Sequence, residues 1–287
     1  MAVKNKISQA FLIVAALATV SSVSCKRDSN VVIIEDPTTS AVAIQTEPAT
    51  TANEESQSAV DTGVDFVLEN LYDVSETIDL FNGQNLDGWT NETGGEPEGW
   101  IVKNEALCLV DPDNGGDIIT KDVFDNYVFS FEWRFGLECN SGVKYKIEQP
   151  NGKGWVGLEY QVQDDAHVED GKIDNRKIAS LFDVLAAKES TRASEYPAPT
   201  EAAPSGKFRG GKIVVAGLHV EHWLDDECVL AFEIGSDEWS AAKAKSKFRN
   251  QKNFGLVESS PLLLQCHGYP VEFRNLKLQK LTPKAGQ

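Results

Sequence analysis

The stretch from Tyr127 to Asp165 constrains the fold most, because apolar and polar residues alternate in three of its segments. In the first segment, every second residue from Tyr127 to Phe135 is aromatic. Successive side chains of a β-strand point to opposite faces of a sheet, so the alternation predicts strands with one apolar and one polar face. If the three strands pair as neighbours, a single polar face results. It would carry Glu132, Arg134, Lys144, Glu159 and Gln161.

Short strands and turn signals continue on both sides of this stretch. Asn82-Gly83 and Asp87-Gly88 predict turns, and Ser236 predicts the N-cap of a short helix that ends near Lys247. Residues 186–211 form a long connection rich in Pro, Ala, Ser and Gly, typical of segments beside binding sites. Many short strands with little helix predict an all-β sandwich or jelly roll.

The N-terminus has the layout of a secretory signal. Lys4 and Lys6 precede the apolar run 11–20, and small residues lead to Cys25. The layout resembles a bacterial lipoprotein signal in which Cys25 is lipidated, although Ser22 stands where a large aliphatic residue is usual. Cleavage elsewhere, leaving a soluble protein, is the alternative. We expect a signal peptide at 1–25, a disordered tether at 26–74, a folded domain at 75–281 and a tail at 282–287.

Charge and cysteine content limit the function classes. Lys and Arg number 27 against 44 Asp and Glu, a formal net charge of −17 in 287 residues. This balance argues against nucleic-acid binding and leaves the lipid anchor as the expected contact with a membrane. Four cysteines follow Cys25, and in an exported protein they are consistent with disulfides or with free thiols. They are Cys108, Cys139, Cys228 and Cys266, and one hypothesis pairs Cys139 with Cys266.

Eight segments, taken in order over residues 75–281, resemble the 3-keto-disaccharide hydrolase domain family. They are LFNGQNLDGW (80–89), EWRFGLECNSGVKY (132–145), GLEYQVQDD (157–165), ASLFDV (179–184), VEHWL (220–224), EIGSDEW (233–239), LQCHG (264–268) and VEFRNLKL (271–278). The resemblance implies a concanavalin-like jelly roll, a carbohydrate partner, and cleavage of glycosides oxidised at carbon 3. It also implies an exported lipoprotein in the bacterial cell envelope.

The implied reaction differs from ordinary glycoside hydrolysis. A ketone at C3 acidifies the hydrogen at C2, so a base can remove it, and the oxygen at C1 can then leave by elimination before water adds. This needs a base, donors for the enolate oxygen and an acid for the leaving group. The Glu-x-Asp-x-x-Glu strand of glucanases with a similar fold is not found in the sequence. A conventional glycoside hydrolase is therefore the weaker alternative.

Glu132 and Glu159 are the leading acid and base candidates, against the alternative of a solvated outer sheet face. His267 and His167 are further catalytic candidates, or structural histidines. The resemblance and the polar face together predict a substrate-binding set. It comprises Arg134, Asn140, Ser141, Lys144, Gln161, Asp164 and Gln265. Arg134 and Lys144 would hold the ketone oxygen or only neutralise the carboxylates.

Two features leave the function open at this point. Asp164, Asp165, His167 and Glu169 include hard ligands that could hold a divalent cation, but their spacing is irregular. Cys266 stands where the family segment usually has Asp beside the His. If that Asp orients His267, its loss weakens the histidine as a base. A non-catalytic carbohydrate-binding protein on the same scaffold is therefore the second hypothesis.

Overall fold

A computed structural model of the chain describes residues 70–152 and 154–285, with fourteen strands among them. Nine strands form the larger sheet, and β12-β11-β10-β7-β14-β5-β4 are adjacent in that order, with β1 and β2 also pairing with β14. They are β1 (Tyr72–Val74), β2 (Ile78–Asp79), β4 (Trp100–Lys103), β5 (Ala106–Leu109), β7 (Tyr127–Phe135), β10 (Arg209–Ala216), β11 (His219–Leu224), β12 (Glu227–Glu233) and β14 (Val271–Pro283). The smaller sheet has the order β3-β6-β13-β8-β9. Its strands are β3 (Trp89–Asn91), β6 (Ile118–Thr120), β8 (Asn140–Glu148), β9 (Val156–Gln163) and β13 (Leu263–Leu264).

The two sheets pack through the apolar faces that the alternation predicted. On β7 the side chains of Phe129, Phe131 and Trp133 are buried, and Tyr160 of β9 is fully buried opposite them. The rings of Phe131 and Tyr160 meet edge to face across the sandwich, with centroids 5.3 Å apart. Burial of these large rings contributes to the apolar surface that holds the sheets together. The all-β jelly-roll sandwich is thus confirmed.

The expectation that the three strands between Tyr127 and Asp165 are neighbours in one sheet is wrong. β7 pairs with β10 and β14 in the larger sheet, whereas β8 pairs with β9 and β13 in the smaller one. The chain crosses between the sheets at residues 136–139. Because both apolar faces point inward, the polar faces of β7 and β9 lie on opposite sides of the sandwich. Alternation indicates which face of a strand is apolar, but not which strand it pairs with.

Helical structure is short. The α-helix α1 spans Asp237–Lys245, and the Ser236 side chain accepts a hydrogen bond from Trp239 N, as an N-cap does. Four 3₁₀-helices lie in connections, at Pro150–Gly152, Glu169–Lys172, Asp174–Arg176 and Ala193–Glu195. No helix within the described ranges is long and apolar enough to cross a membrane.

The sheet extends past both predicted domain edges. Tyr72 pairs with Pro283 and Val74 with Leu281, so residues assigned to the tether and the tail form an edge of the larger sheet. The described residues lie within one compact unit, Ala59–Gln287. The predicted signal peptide, Cys25 and the tether up to residue 69 lie outside the described residues. The four remaining cysteines are free thiols, so the Cys139–Cys266 disulfide is not formed.

Candidate active site

Glu159 lies at the centre of a polar cluster on the outer face of the smaller sheet. It occupies β9 directly opposite Lys144 of β8, and it is only 6% exposed. Gly142, two residues before Lys144, leaves space for the carboxylate, since a Cβ atom there would lie 2.8 Å from Glu159 Oε1. Because Gly142 has no side chain, the sheet has a recess at this position, and the Glu159 carboxylate occupies it.

A row of buried amides continues from Glu159 along β9. The side chains of Gln161 and Gln163 are both fully buried, and Gln161 contacts Gln163 at 2.6 Å and Asn140 at 3.2 Å. Turned by 180°, the Gln161 amide instead donates an N–H to Glu159 Oε1 at 3.1 Å. An ionised carboxylate only accepts hydrogen bonds, so it selects the second orientation, whereas protonated Glu159 can donate to the amide oxygen in the first. Gln161 can thus serve both protonation states of Glu159.

The charges around Glu159 set its basicity. Burial raises the pKa of Glu159, the positive charges of Lys144 and then Lys247 oppose that rise, and Asp117 adds to it. His267 also lies close enough for its charge to lower this pKa slightly. Lys144 Nζ lies 3.5 Å from Asp117 Oδ2, so its charge is shared between two carboxylates. A carboxylate with a raised pKa is a stronger base near neutral pH than an exposed one.

Three charged residues of this cluster were not found from the sequence: Glu92, Asp117 and Lys247. Burial raises the pKa of Glu92, and Asp117 adds to it. Burial lowers the pKa of Lys247, whose ammonium lies 4.1 Å from the centre of the Phe182 ring. These residues come from connections before β4, before β6 and after α1, where no alternation marks them. Phe182, which Lys247 contacts, belongs to the family-like segment 179–184, but nothing in the sequence marks Lys247 itself.

Gln265 and His267 join the cluster from the segment after β13. The Gln265 backbone N–H donates to Gly142 O at 2.9 Å, and its side-chain Oε1 is buried with no hydrogen-bond partner among the described residues. Ser141 Oγ donates to Gln265 O at 2.8 Å, which fixes this segment and gives Ser141 a structural contact. His267 is exposed two residues further on. The Gln265 Oε1 atom is thus an exception to the rule that buried polar atoms are hydrogen-bonded.

Cys266, between these two residues, contacts Asp117 and a loop carbonyl. Its N–H donates to Asp117 Oδ1 at 2.8 Å, and its thiol lies 3.5 Å from Pro112 O. Cys266 therefore supplies no carboxylate to His267. The carboxylate in this part of the cluster belongs to Asp117, which accepts the Cys266 N–H.

Glu132 and Arg134 lie on the outer face of the larger sheet, away from Glu159. Glu132 forms an ion pair with Arg274 at 2.6 Å, and Arg134 forms one with Glu272 at the same distance. The Phe208 ring contacts both guanidinium groups, at 3.9 Å from Arg274 and 4.5 Å from Arg134. Each charge is thus partnered on its own face, and the structure does not bring these two residues to the cluster.

Asp164 and His167 form a loop contact at the end of β9. Asp164 Oδ2 accepts a hydrogen bond from Glu138 N at 3.0 Å and lies 2.7 Å from His167 Nδ1, which carries the proton because a carboxylate can only accept. Asp165 accepts from Gln163 and from Ile178 N, and Glu169 pairs with Lys172. Within residues 70–285, apart from 153, no group of three or more His, Cys, Asp or Glu side chains is placed to hold a metal ion.

The fold and the cluster together define the class of protein. An antiparallel two-sheet jelly roll with a buried acid among amides on one sheet face belongs with the lectin-like β-sandwiches. Within that class the chain belongs to the 3-keto-alpha-glucoside-1,2-lyase-like domain family, whose model matches residues 76–279. This confirms the family that the eight segments indicated.

The chain is also similar to one curated relative and to two solved structures. The chain is 27% identical to a 3-keto-disaccharide hydrolase of Bacteroides thetaiotaomicron over 246 residues, covering 75% of this chain and 81% of the relative. A solved putative glycosyl hydrolase from Parabacteroides distasonis is 25% identical with a TM-score of 0.60, covering 71% of this chain and 93% of that one. A second putative glycosyl hydrolase from the same organism is 22% identical with a TM-score of 0.54, covering 72% and 100%. The second of these structures supports the fold alone.

Proposed function

We propose that the protein is a glycosidase-type enzyme that cleaves the glycosidic bond of 3-keto-glycosides, with Glu159 as the base. The observation that carries the proposal is the buried Glu159 carboxylate, whose pKa burial raises, set between Lys144 and the amide of Gln161. The family and the hydrolase relative support a 3-keto sugar as the substrate.

The reaction follows from the groups at hand. Glu159 takes the proton at C2, and the electrons of the C2–H bond form an enolate whose oxygen was the C3 ketone. Lys144 and Lys247 stabilise the negative charge on that oxygen. When the enolate returns to the ketone, the C1–O bond breaks and the departing oxygen takes a proton, for which His267 is the exposed candidate. Water then adds its hydroxyl to C1 and a hydrogen to C2, which completes a net hydrolysis.

The remaining groups of the cluster position the sugar. Gln265 Oε1 accepts a hydrogen bond from a sugar hydroxyl, since it has no partner among the described residues. Asn140 holds Gln161 at 3.2 Å and so acts on the base through its neighbour. The proposed elimination does not need the two-carboxylate arrangement of ordinary glycosidases.

Binding without cleavage is the second candidate function, and one observation favours it. Cys266 gives His267 no adjacent carboxylate, so the acid for the leaving group is less well oriented than in the usual family pattern. Incubation of the purified full chain with 3-keto-trehalose and with trehalose separates the candidates. Release of 3-ketoglucose from the oxidised sugar alone supports the proposed enzyme. Binding without release supports the second candidate, and cleavage of trehalose contradicts both.

We also propose that the protein is exported and anchored by a lipid on Cys25, which is its contact with the membrane. The charged start, the apolar run 11–20 and the small residues before Cys25 support this proposal. Metabolic labelling with a radioactive fatty acid tests it, because wild type should carry the label and Cys25→Ser should not. Label on both proteins, or on neither, contradicts the anchor.

A further inference from the structure

The carboxylate of Asp183 joins two segments of the chain that meet at the Glu159 cluster. Its Oδ2 atom accepts a hydrogen bond from the Lys247 backbone N–H at 2.7 Å, and its Oδ1 atom accepts one from Arg176 Nε at 2.9 Å. Hydrogen bonds to an ionised carboxylate are stronger than those between neutral groups, and Asp183 is only 8% exposed. One buried side chain thus connects the segment after α1 to the 3₁₀-helix that contains Arg176.

The loop that carries Asp183 is fixed to the strand of the base. The Phe182 N–H donates to Glu159 O at 3.1 Å, and the Asp183 N–H donates to Asn175 O at 2.8 Å. The Lys247 ammonium lies 4.1 Å from the centre of the Phe182 ring, and its charge acts on Glu159. The loop is therefore bound to Glu159 through Phe182 and to the Lys247 backbone through Asp183.

Asp183 adopts a backbone conformation that disfavours most side chains. Its φ angle is +61°, in the left-handed region that Gly adopts freely and that Asp and Asn adopt more readily than other residues. Such a conformation persists only where the surrounding contacts compensate for its cost, and it is more frequent at functional sites. The hydrogen bonds of Asp183 with Asn175, Arg176 and Lys247 provide this compensation.

We propose that Asp183 is a positioning residue, which holds the Lys247 ammonium beside Glu159 by accepting the Lys247 backbone N–H. It acts through Lys247 and takes no part in the proton transfer itself. The role of Lys247 in stabilising the enolate rests on the proposed function, whereas its placement by Asp183 rests on the hydrogen bonds and the burial of Asp183.

The direction of a change in the Lys247 pKa separates placement from charge. Burial lowers this pKa most strongly, and Glu159 and then Asp183 oppose that change. Lys144 and Arg176 add to it. Loss of the Asp183 charge alone should therefore lower the Lys247 pKa further, whereas release of the ammonium into water should raise it towards 10.5.

NMR of the full-length chain labelled with carbon-13 lysine measures this pKa without turnover. The Lys247 Cε signal is assigned by its absence in Lys247→Met. In Asp183→Gly, where glycine suits the φ of +61°, the Lys247 pKa should rise because the segment after α1 is released. In Asp183→Asn, whose amide oxygen still accepts the Lys247 N–H, the Lys247 pKa should fall because only the charge is lost.

Lys146 is the control in the same spectra. Its Nζ donates to Val257 O at 3.2 Å, burial lowers its pKa, and Asp125 and Glu258, rather than Asp183, oppose that change. The Lys146 pKa should be the same in wild type and in both variants. A variant that unfolds is recognised because the Lys146 pKa rises as well.

Steady-state rates provide a second measurement. Asp183→Gly should lower kcat for a 3-keto-disaccharide by roughly 10- to 100-fold and change KM little, because Lys247 stabilises charge that develops only after binding. Asp183→Asn should keep kcat within a few-fold of wild type. In the Lys247→Met background, Asp183→Gly should cause no further loss, since both changes remove the same interaction.

A fall of the Lys247 pKa in both variants would overturn the proposal, because Asp183 would then act only through its charge. An unchanged or raised Lys247 pKa in Asp183→Asn would contradict the contact itself. An equal loss of kcat in Asp183→Gly with and without Lys247 would also overturn the proposal. If wild type does not cleave the 3-keto sugar, the proposed function fails, but the NMR titration still decides whether Asp183 places Lys247.

Discussion

Lys144 and Glu159 face each other directly across β8 and β9, on the outer face of the smaller sheet. In an antiparallel pair such residues are close enough for their charges to interact strongly. Lys144 is also 3.5 Å from Asp117, so the lysine compensates Glu159 only in part and burial still raises the pKa of Glu159. Glu159 is therefore neither fully compensated by the charge of Lys144 nor exposed to solvent.

Glu159→Gln should reduce kcat/KM for a 3-keto-disaccharide by at least roughly 10²-fold, because an amide cannot take the C2 proton. Glu132→Gln is the matched control, since Glu132 lies on the opposite side of the sandwich in an ion pair with Arg274. It should retain activity within a few-fold of wild type, as expected for an outer-face pair. Equal losses in both variants, or none in Glu159→Gln, would remove Glu159 from the chemistry.

We expect the loss of activity in Glu159→Gln to occur without unfolding of the variant. A carboxyl whose folded pKa is raised binds its proton more tightly in the native state, so its contribution to stability falls as pH rises above 4.5. Removing that carboxyl should raise the melting temperature at pH 7.5, and the gain should shrink as the pH approaches 4.5. A melting temperature well below that of wild type at pH 7.5 would contradict this reading of Glu159.

The pH dependence of kcat/KM should shift in opposite directions in two variants. The positive charge of Lys144 lowers the pKa of Glu159 and the negative charge of Asp117 raises it. The acid limb of the profile should therefore move to higher pH in Lys144→Met and to lower pH in Asp117→Asn. The plateau of Lys144→Met should also fall by roughly 10²-fold if the ammonium stabilises the enolate. Limbs that move in the same direction, or not at all, would show that Glu159 does not control the rate.

The alternation in the sequence was sufficient to predict the apolar faces of β7 and β9, but not the strands with which they pair. The alternate residues from Tyr127 to Trp133 and from Leu158 to Val162 are buried on the predicted side, because period-2 patterning specifies local geometry. Pairing depends on residues distant in the chain: β7 lies between β10 and β14, which begin at Arg209 and Val271. No local pattern in the sequence specifies such pairing partners. The prediction of a single polar face that carries both Glu132 and Glu159 was therefore wrong.

The candidate site was predictable where residues lie on strands and not where they come from loops. Glu159, Lys144, Gln161 and Gln265 were found because alternation or a family-like segment marks them. Asp117, Glu92 and Lys247 lie in connections whose position follows from how the sheets pack, so the chain carries no local sign of their approach to Glu159. The catalytic roles assigned to Glu159 and His267 stay predictions.

Gly142→Ala should lower kcat/KM by up to about 10²-fold, because the added Cβ would lie 2.8 Å from Glu159 Oε1 and displace the carboxylate. Gly210→Ala on β10 is the control, since the nearest atom to a Cβ there is 4.0 Å away, in Asp225. That variant should keep activity near wild type. Steady-state rates with a 3-keto-disaccharide measure both, and an unimpaired Gly142→Ala enzyme would show that the recess does not position Glu159.

His222 should make the stability of the fold depend on pH. Its Nδ1 lies 2.7 Å from Ala179 O, so Nδ1 carries the proton and Nε2 accepts from Tyr145 O–H at 2.6 Å. Burial lowers the pKa of His222 to about 4, although the contact with Ala179 opposes the change. The native state therefore resists protonation that the unfolded chain accepts below pH 6.5. Stability present above pH 6.5 should fall by roughly 3 kcal/mol as pH falls to about 4.

Urea unfolding from pH 8 to pH 4.5 measures this dependence. His222→Phe should cost about 1–3 kcal/mol at pH 8, because Tyr145 O–H and Ala179 O lose their partner. Its deficit relative to wild type should narrow towards pH 4.5, since the variant lacks the group that the unfolded chain protonates. Tyr145→Phe is the matched control: it breaks the same hydrogen bond but keeps the imidazole, so its stability should fall with pH as steeply as that of wild type. A parallel decline in wild type and His222→Phe would exclude His222 as the titrating group.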